Sequence, residues 1–267
     1  MINELEIQKE IFNHHTLDTL PHSIILTGKE GAGKRTLAKY ISDIFNLNIL
    51  DISNILDEEL INNIYRNSSP RLYLIDLRTI TDKEQNILLK LFEEPSANTF
   101  VILLANDTTS ILPTILNRGK IYNIKNYDKD YLMFFAKEKQ IDIPENYFGS
   151  IIETPGDICG IYSNNIKLND IKDLTDKIIN KLQIASYPNT LSIINKLNFK
   201  DEYDKLDVNL FLKILRFDCL ESFINGNKKA INLFDIVNKD IIKLNDSRIN
   251  KQILVTNMLT ELWCEVR

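Results

Sequence analysis

The sequence predicts an α/β domain, a parallel sheet with helices on both faces, followed by a helical remainder. Three observations carry this prediction. Short, almost unbroken apolar runs alternate with amphipathic stretches over residues 1–126, a glycine-rich loop joins the first run to the first helix, and strand-like runs vanish beyond about Tyr127. Strands apolar on both faces are covered on both faces, and strands separated by helices pair in parallel.

Ile24, Ile25 and Leu26 form the first strand, which runs into Thr27 and Gly28, and a helix with Leu37, Tyr40, Ile41 and Ile44 on its apolar stripe follows. The second strand is 72–76, rich in β-prone residues and ending in Asp76. Thr81 with Glu84 three residues later reads as a capping box, and opens a helix carrying Ile87, Leu88, Leu91 and Phe92 that Pro95 stops. Residues 100–105 give the third strand, a short segment leads to Arg118, and 121–124 supply a fourth.

Beyond Tyr127, residues 128–140 and 146–154 read as two short helices, Pro155-Gly156 breaks the second, and a third runs through Ile161. Together they suggest a small helical lid. Past about Asn165 the pattern is helical almost to the end. Leu210, Ile214 and Phe217 lie on one stripe and Leu254, Met258 and Leu262 on another, so these helices are expected to pack on each other as a bundle. The expected division is an α/β domain over 1–126, a lid over 127–165 and a bundle over 166–267.

Composition narrows the function. At 267 residues, about 150 per domain gives roughly two units. A hydrophobic share of 44% and a charged share of 26% describe a globular chain, which excludes a disordered or collagen-like one. With 32 Lys and Arg against 37 Asp and Glu, the net charge of −5 excludes a chain-wide polyanion binder, so any nucleic-acid contact is local or made through a partner. The first residues lack a signal-peptide pattern and no run reaches the roughly 18 apolar residues of a membrane span, so a cytoplasmic protein without membrane contact is expected. Cys159, Cys219 and Cys264 show no metal-ligand spacing and read as small buried hydrophobes, while His14, His15 and His22 read as surface or loop residues.

The loop Gly28-Lys29-Glu30-Gly31-Ala32-Gly33-Lys34 matches the first seven positions of a phosphate-binding P-loop. Glycines let successive backbone N–H groups turn around phosphate oxygens, the helix N-terminus adds positive potential, and Lys34 places a point charge on the β- and γ-phosphates. The eighth position departs from the pattern. A Ser or Thr hydroxyl would hold Mg²⁺ there, but Arg35 occupies it and Thr36 comes one residue, about 100° of helix, too late. Asp76 stands where a metal-organising aspartate belongs, followed by Leu77 rather than a water-activating carboxylate. Glu93 and Glu94, at the end of the next helix, read as a solvated turn. The site reads as one that kept its fold and lost its chemistry.

Residues 88–95, ending in Phe92-Glu93-Glu94-Pro95, then 99–104, then 112–118 with Asn117-Arg118, closely resemble the AAA+ clamp-loader subunits of bacterial DNA polymerase III. The resemblance covers roughly 20–160, and the degraded P-loop and second-strand motif resemble the delta-prime type. It implies an AAA+ fold, with the bundle as a collar domain. It implies that Arg118 is an arginine finger, acting in trans on ATP held by an adjacent motor subunit, although Asn117 and Gly119 replace the flanking Ser and Cys of the family. It also matches Asn106 to the sensor position, and Thr154-Pro155-Gly156-Asp157 to the lid motif whose arginine is here Asp157. No cysteines stand where many members hold zinc, so zinc is expected to be absent.

The expected site is therefore Gly28, Gly31, Gly33, Lys34, Thr36, Asp76 and Asn106 as a degenerate nucleotide cradle, with Arg118 acting elsewhere. No cofactor is required and no metal is held; at most ATP or ADP sits there without hydrolysis. The expected function is a stator subunit that helps load the sliding clamp on primed DNA. Its partners would be the motor ATPase and clamp-opening subunits, with clamp and primer-template DNA reached through the complex. The alternative is a catalytically active AAA+ ATPase, either a motor-type subunit or a helicase loader.

Overall fold

The computed structural model describes residues 11, 16–53, 56–66, 69–96, 98–163, 168–184, 208–228, 230–243 and 250–266. His14, His15 and the junction at 164–167 lie outside them. Contacts divide the chain into two units, one comprising 1–128 with Thr154–Asp157, the other Lys129–Glu153 with Ile158–Arg267.

The first unit holds strands β1 (Ser23–Thr27), β2 (Asn48–Asp51), β3 (Arg71–Asp76), β4 (Thr99–Ala105) and β5 (Lys120–Asn123). Its helices are α1 (Lys34–Ile44), α2 (Glu58–Tyr65), α3 (Asp82–Glu93) and the single turn α4 (Pro113–Leu116). All pairings are parallel, in the order β2-β3-β4-β1-β5, with Ile25 opposite Leu103 on one side and Ile121 on the other. The order places the ends of β1, β3 and β4 side by side at one edge of the sheet. That edge carries the glycine loop, Asp76 and Asn106.

The period-2 alternation of the strands sorts the core into two layers. Ile24, Leu26, Leu72, Leu74, Phe100, Ile102 and Leu104 face Leu37, Ala38 and Ile41 of α1. Ile25, Tyr73, Ile75, Val101 and Leu103 face Ile61 and Ile64 of α2, Leu88, Leu91 and Phe92 of α3, and Ile115 of α4. The sheet is covered on both faces, as its unbroken apolar runs require. On α1 the expected stripe is narrower than read, because Tyr40 and Ile44 are 41% and 45% exposed.

Two elements of this unit escaped the sequence reading. β2 has an exposed-to-intermediate burial pattern and no apolar run, and α2 is capped by Asp57, whose side chain accepts from Leu60 N. The helix expected over 146–154 is not formed. A single 3₁₀ turn, Glu145–Tyr147, stands there, followed by Gly149 at φ 87° and a bridge between Phe148 and Ile152. A left-handed residue inside the segment interrupts a right-handed helix.

The second unit carries α5 (Lys129–Glu138) and most of α6 (Pro155–Ser163), followed by α7 (Leu168–Ile184), α8 (Val208–Ile224), α9 (Ala230–Lys243) and α10 (Lys251–Val266). α8 packs on α7 and α9, α9 on α10, and α10 returns to α7, which closes a bundle. Leu210 and Ile214 are buried on α8, as are Leu254, Met258 and Leu262 on α10. No described helix is long and apolar enough to cross a membrane. Of the cysteines only Cys219 is buried; Cys159 and Cys264 are exposed, on the outward sides of α6 and α10, so the buried reading fails for those two. His22 is partly buried, stacked on Phe100 with its Nδ1 2.9 Å from Thr99 O.

Candidate functional site

The glycine loop leaves β1 at Thr27 and enters α1 at Lys34. Gly28, Gly31 and Gly33 have φ of 150°, 77° and 92°, and Gly33 is the left-handed N-cap of α1, whose first turn has no side-chain cap and no acidic residue. The loop thus brings left-handed glycines, which let backbone N–H groups turn toward an anion, to the positive end of a helix. Gly31 is held to glycine on a second count. A Cβ there would lie 2.4 Å from Thr154 Oγ1 and 3.1 Å from Gly156 Cα, while Gly156 N donates to Gly31 O at 3.0 Å. The Thr154-Pro155-Gly156-Asp157 segment thus lies directly on the loop. Its Asp157 is used locally, accepting from Thr154 N and Thr154 Oγ1, both at 2.9 Å, at the start of α6.

Lys34 Nζ donates to the carbonyl oxygens of Gly28 and Lys29, the latter at 3.0 Å, and to Asn106 Oδ1 at 3.1 Å. Asn106 O in turn accepts from Gly28 N at 3.2 Å, so the turn after β4 is tied to the loop at both ends. Burial, and next the charge of Arg78, push the Lys34 ammonium down to about 8 against the pull of Asp76 and Glu30.

Asp76, 3% exposed at the end of β3, receives hydrogen bonds on both oxygens. Arg78 N and Nε donate to Oδ1 at 3.1 and 3.0 Å, while one Arg78 terminal nitrogen and one of Arg35 donate to Oδ2 at 2.8 and 3.1 Å. Burial would raise the carboxyl pKa, but the Arg78 bonds and charge, with those of Arg35, outweigh it and hold the group at about 2. The two guanidinium groups reach further. Arg35 also pairs with Asp51, and Arg78 with Glu30 of the glycine loop. Ser53 Oγ donates to Asp51 and accepts from Asp76 N at 2.8 Å, closing a ring through Asp76, Arg35, Asp51 and Ser53.

A P-loop fold implies a divalent cation between a Ser or Thr hydroxyl and this aspartate. The residues here do not fit one. The hydroxyl position is Arg35, and an ionised carboxylate offers about four acceptor positions, all used by N–H donors at Asp76. No cluster of three or more His, Cys, Asp or Glu that could hold a metal occurs among the described residues. Leu77, where a water-activating carboxylate would stand, is 6% exposed and belongs to the apolar layer under α3.

The structure brings Gly28, Gly31, Gly33, Lys34 and Asn106 into one cradle, with Asp76 beside it. Thr36 is exposed on α1 and takes no part in the bonds of the site. Arg118 lies apart, exposed after α4. One terminal nitrogen donates to Thr114 O at 2.8 Å and the other lies 3.0 Å from Glu93 at the end of α3. The glutamate read as part of a solvated turn is therefore also its ion partner. Gly119 fits tightly beside it, since a Cβ there would meet Ile25 Cδ1 at 2.6 Å. Sequence reasoning missed Arg78, Asp51, Ser53 and Glu30. The available signal was Arg35 itself, a cation at a phosphate-loop position that needs carboxylate partners, and the strand-end residues Asp51 and Asp76 supply them.

The family model described as DNA polymerase III, delta subunit, matches residues 46–128. The gamma/tau subunit of DNA polymerase III from Mycoplasma genitalium is 21% identical over 91% of this chain and 50% of its own length. The delta' subunits from Haemophilus influenzae and Buchnera aphidicola subsp. Schizaphis graminum are 27% and 22% identical, over 32% and 82% of this chain and 26% and 65% of theirs. The chain thus spans between about a quarter and two thirds of these relatives. A DNA polymerase III gamma subunit-related protein from Thermotoga maritima superposes with a TM-score of 0.60 over 99% of this chain and 100% of that one, at 14% identity, which shows a shared fold. The fold is the parallel sheet with helices on both faces and a helical remainder that the sequence predicts, and these likenesses bear out the resemblance to clamp-loader subunits of DNA polymerase III.

Proposed function

We propose that this chain is a delta-prime-like stator subunit of a replicative clamp loader, with no ATP turnover of its own. The observation that carries this reading is the buried Leu77 beside Asp76, in the apolar layer beneath α3. No group there can take a proton from water, so the cradle lacks the base that hydrolysis needs. The backbone half of the cradle still suits phosphate, and ATP or ADP would sit there without hydrolysis. The similarity to delta' subunits supports the assignment.

In this reading Arg118 is the functional group, reaching in trans to ATP on a neighbouring motor subunit, where a guanidinium neutralises charge on the transferring phosphoryl group. Its exposure after α4 suits that role, and Glu93 and Thr114 O hold it in a defined direction. Residues 127–165 would serve as the lid and 166–267 as the collar that holds the subunit beside the motor and clamp-opening subunits. Sliding clamp and primed DNA would be reached through that assembly.

Two measurements test the proposal. The purified chain with Mg²⁺ and primed DNA should show no ATP turnover, and Lys34→Ala should be indistinguishable from it. In a reconstituted clamp loader, Arg118→Ala should lower turnover by on the order of 10³-fold. Turnover by the chain alone, lost in Lys34→Ala, would put the active ATPase in place of the stator.

A further inference from the structure

The region around Asp76 does more than lack a metal site. A cation in a P-loop fold neutralises the strand-end aspartate and ties it to the first turn of the helix after the loop. Both tasks are already performed here. Arg35 projects from that first turn to Asp76 and Asp51, and Arg78 spans from Asp76 to Glu30 on the glycine loop. Three cations, Lys34, Arg35 and Arg78, stand against three anions, Glu30, Asp51 and Asp76, so a divalent ion would enter as uncompensated positive charge next to Lys34.

We infer that the guanidinium groups of Arg35 and Arg78 stand in place of the divalent cation, so that Asp76 is the hub of a permanent brace and the site takes no metal. A guanidinium is charged at every physiological pH and cannot dissociate from its own chain, whereas a bound ion comes and goes with concentration and nucleotide. Planar forks also suit a carboxylate that must be held from two sides. The loop, β2 and β3 are therefore tied together whether or not an anion sits in the cradle. This inference deepens the reading of the site as one without turnover and rests on it only in that sense.

The test uses the full chain without nucleotide and Mn²⁺ as the probe, followed by the loss of the free-ion electron paramagnetic resonance signal against a protein-free control. The wild-type chain should bind Mn²⁺ no more tightly than Asp76→Asn does, through scattered surface carboxylates alone. The double variant Arg35→Thr/Arg78→Ala, which frees Asp76 and restores a hydroxyl, should bind it at least tenfold more tightly, and adding Asp76→Asn should abolish the gain. In EDTA, Asp76→Asn alone should lower Tm by about 5 °C or more, because two guanidinium groups lose a buried partner. Mn²⁺ bound by the wild type and lost in Asp76→Asn would overturn the inference, as would a folded double variant that gains no affinity. If the double variant fails to fold by circular dichroism, the EDTA melt decides, and an unchanged Tm overturns the brace. Metal bound without turnover would remove this inference and leave the stator standing; an Arg118→Ala subunit that leaves the reconstituted complex unaffected would remove the stator and leave this inference.

Discussion

Asp76 ties the fate of the loop to acid. Its folded pKa of about 2 lies below the ordinary 3.8, so the folded state binds the proton less readily than the unfolded chain. The stability this contributes, about 2 kcal/mol, is complete above pH 4 and is lost as pH falls through 2. Unfolding free energies from urea titrations at pH 5 and pH 2 should fall in the wild type by about 2 kcal/mol more than in Asp76→Asn, which has no proton to take up. At this scale the sequence was legible wherever a residue's role is set by its chain neighbours. The three glycines and Lys34 lie in the one loop where their spacing puts them, and Asn106, marked only by the resemblance, accepts from Lys34 Nζ. Arg78 and Asp51 were not legible, because their role depends on β2 and β3 lying side by side, which no local spacing encodes. Asp157, which stands in place of the lid arginine, is the capping partner of Thr154.

Among the elements, α3 shows how a local signal can settle a boundary. Thr81 Oγ1 accepts from Glu84 N, and the Glu84 side chain accepts from Thr81 N, a reciprocal cap at the start of a helix that covers one layer of the core and presents Glu93 at its far end. Thr81→Ala should cost about 1 kcal/mol in urea unfolding, with Thr81→Ser close to wild type. Signals of this kind were readable for β1, β3, α3 and β4, each marked by an apolar run or a cap. β2 carries neither, since Asn48 and Asp51 are exposed at its two ends and only Ile49 and Leu50 lie partly inside. The helix expected over 146–154 failed for the opposite reason. Its apolar residues Ile151 and Ile152 are fully buried, but Gly149 takes a left-handed turn that a helix cannot contain.

At the scale of the whole molecule, a chain whose contacts fall into two units is expected to unfold in more than one step. Scanning calorimetry is expected to give a measured enthalpy above the van't Hoff value, and Thr81→Ala should move only the component that belongs to the sheet. The borders of that sheet have their own consequence. Its outermost strands, β2 and β5, are only four residues long, and each carries a charged end, Asp51 on one and Lys120 on the other. Short, charged borders are poor templates for a passing strand, while the seven-residue β4, the run most prone to stick, is shut inside between β3 and β1. Among the described residues, the sheet therefore offers a passing strand no long apolar border on which a fibre could grow.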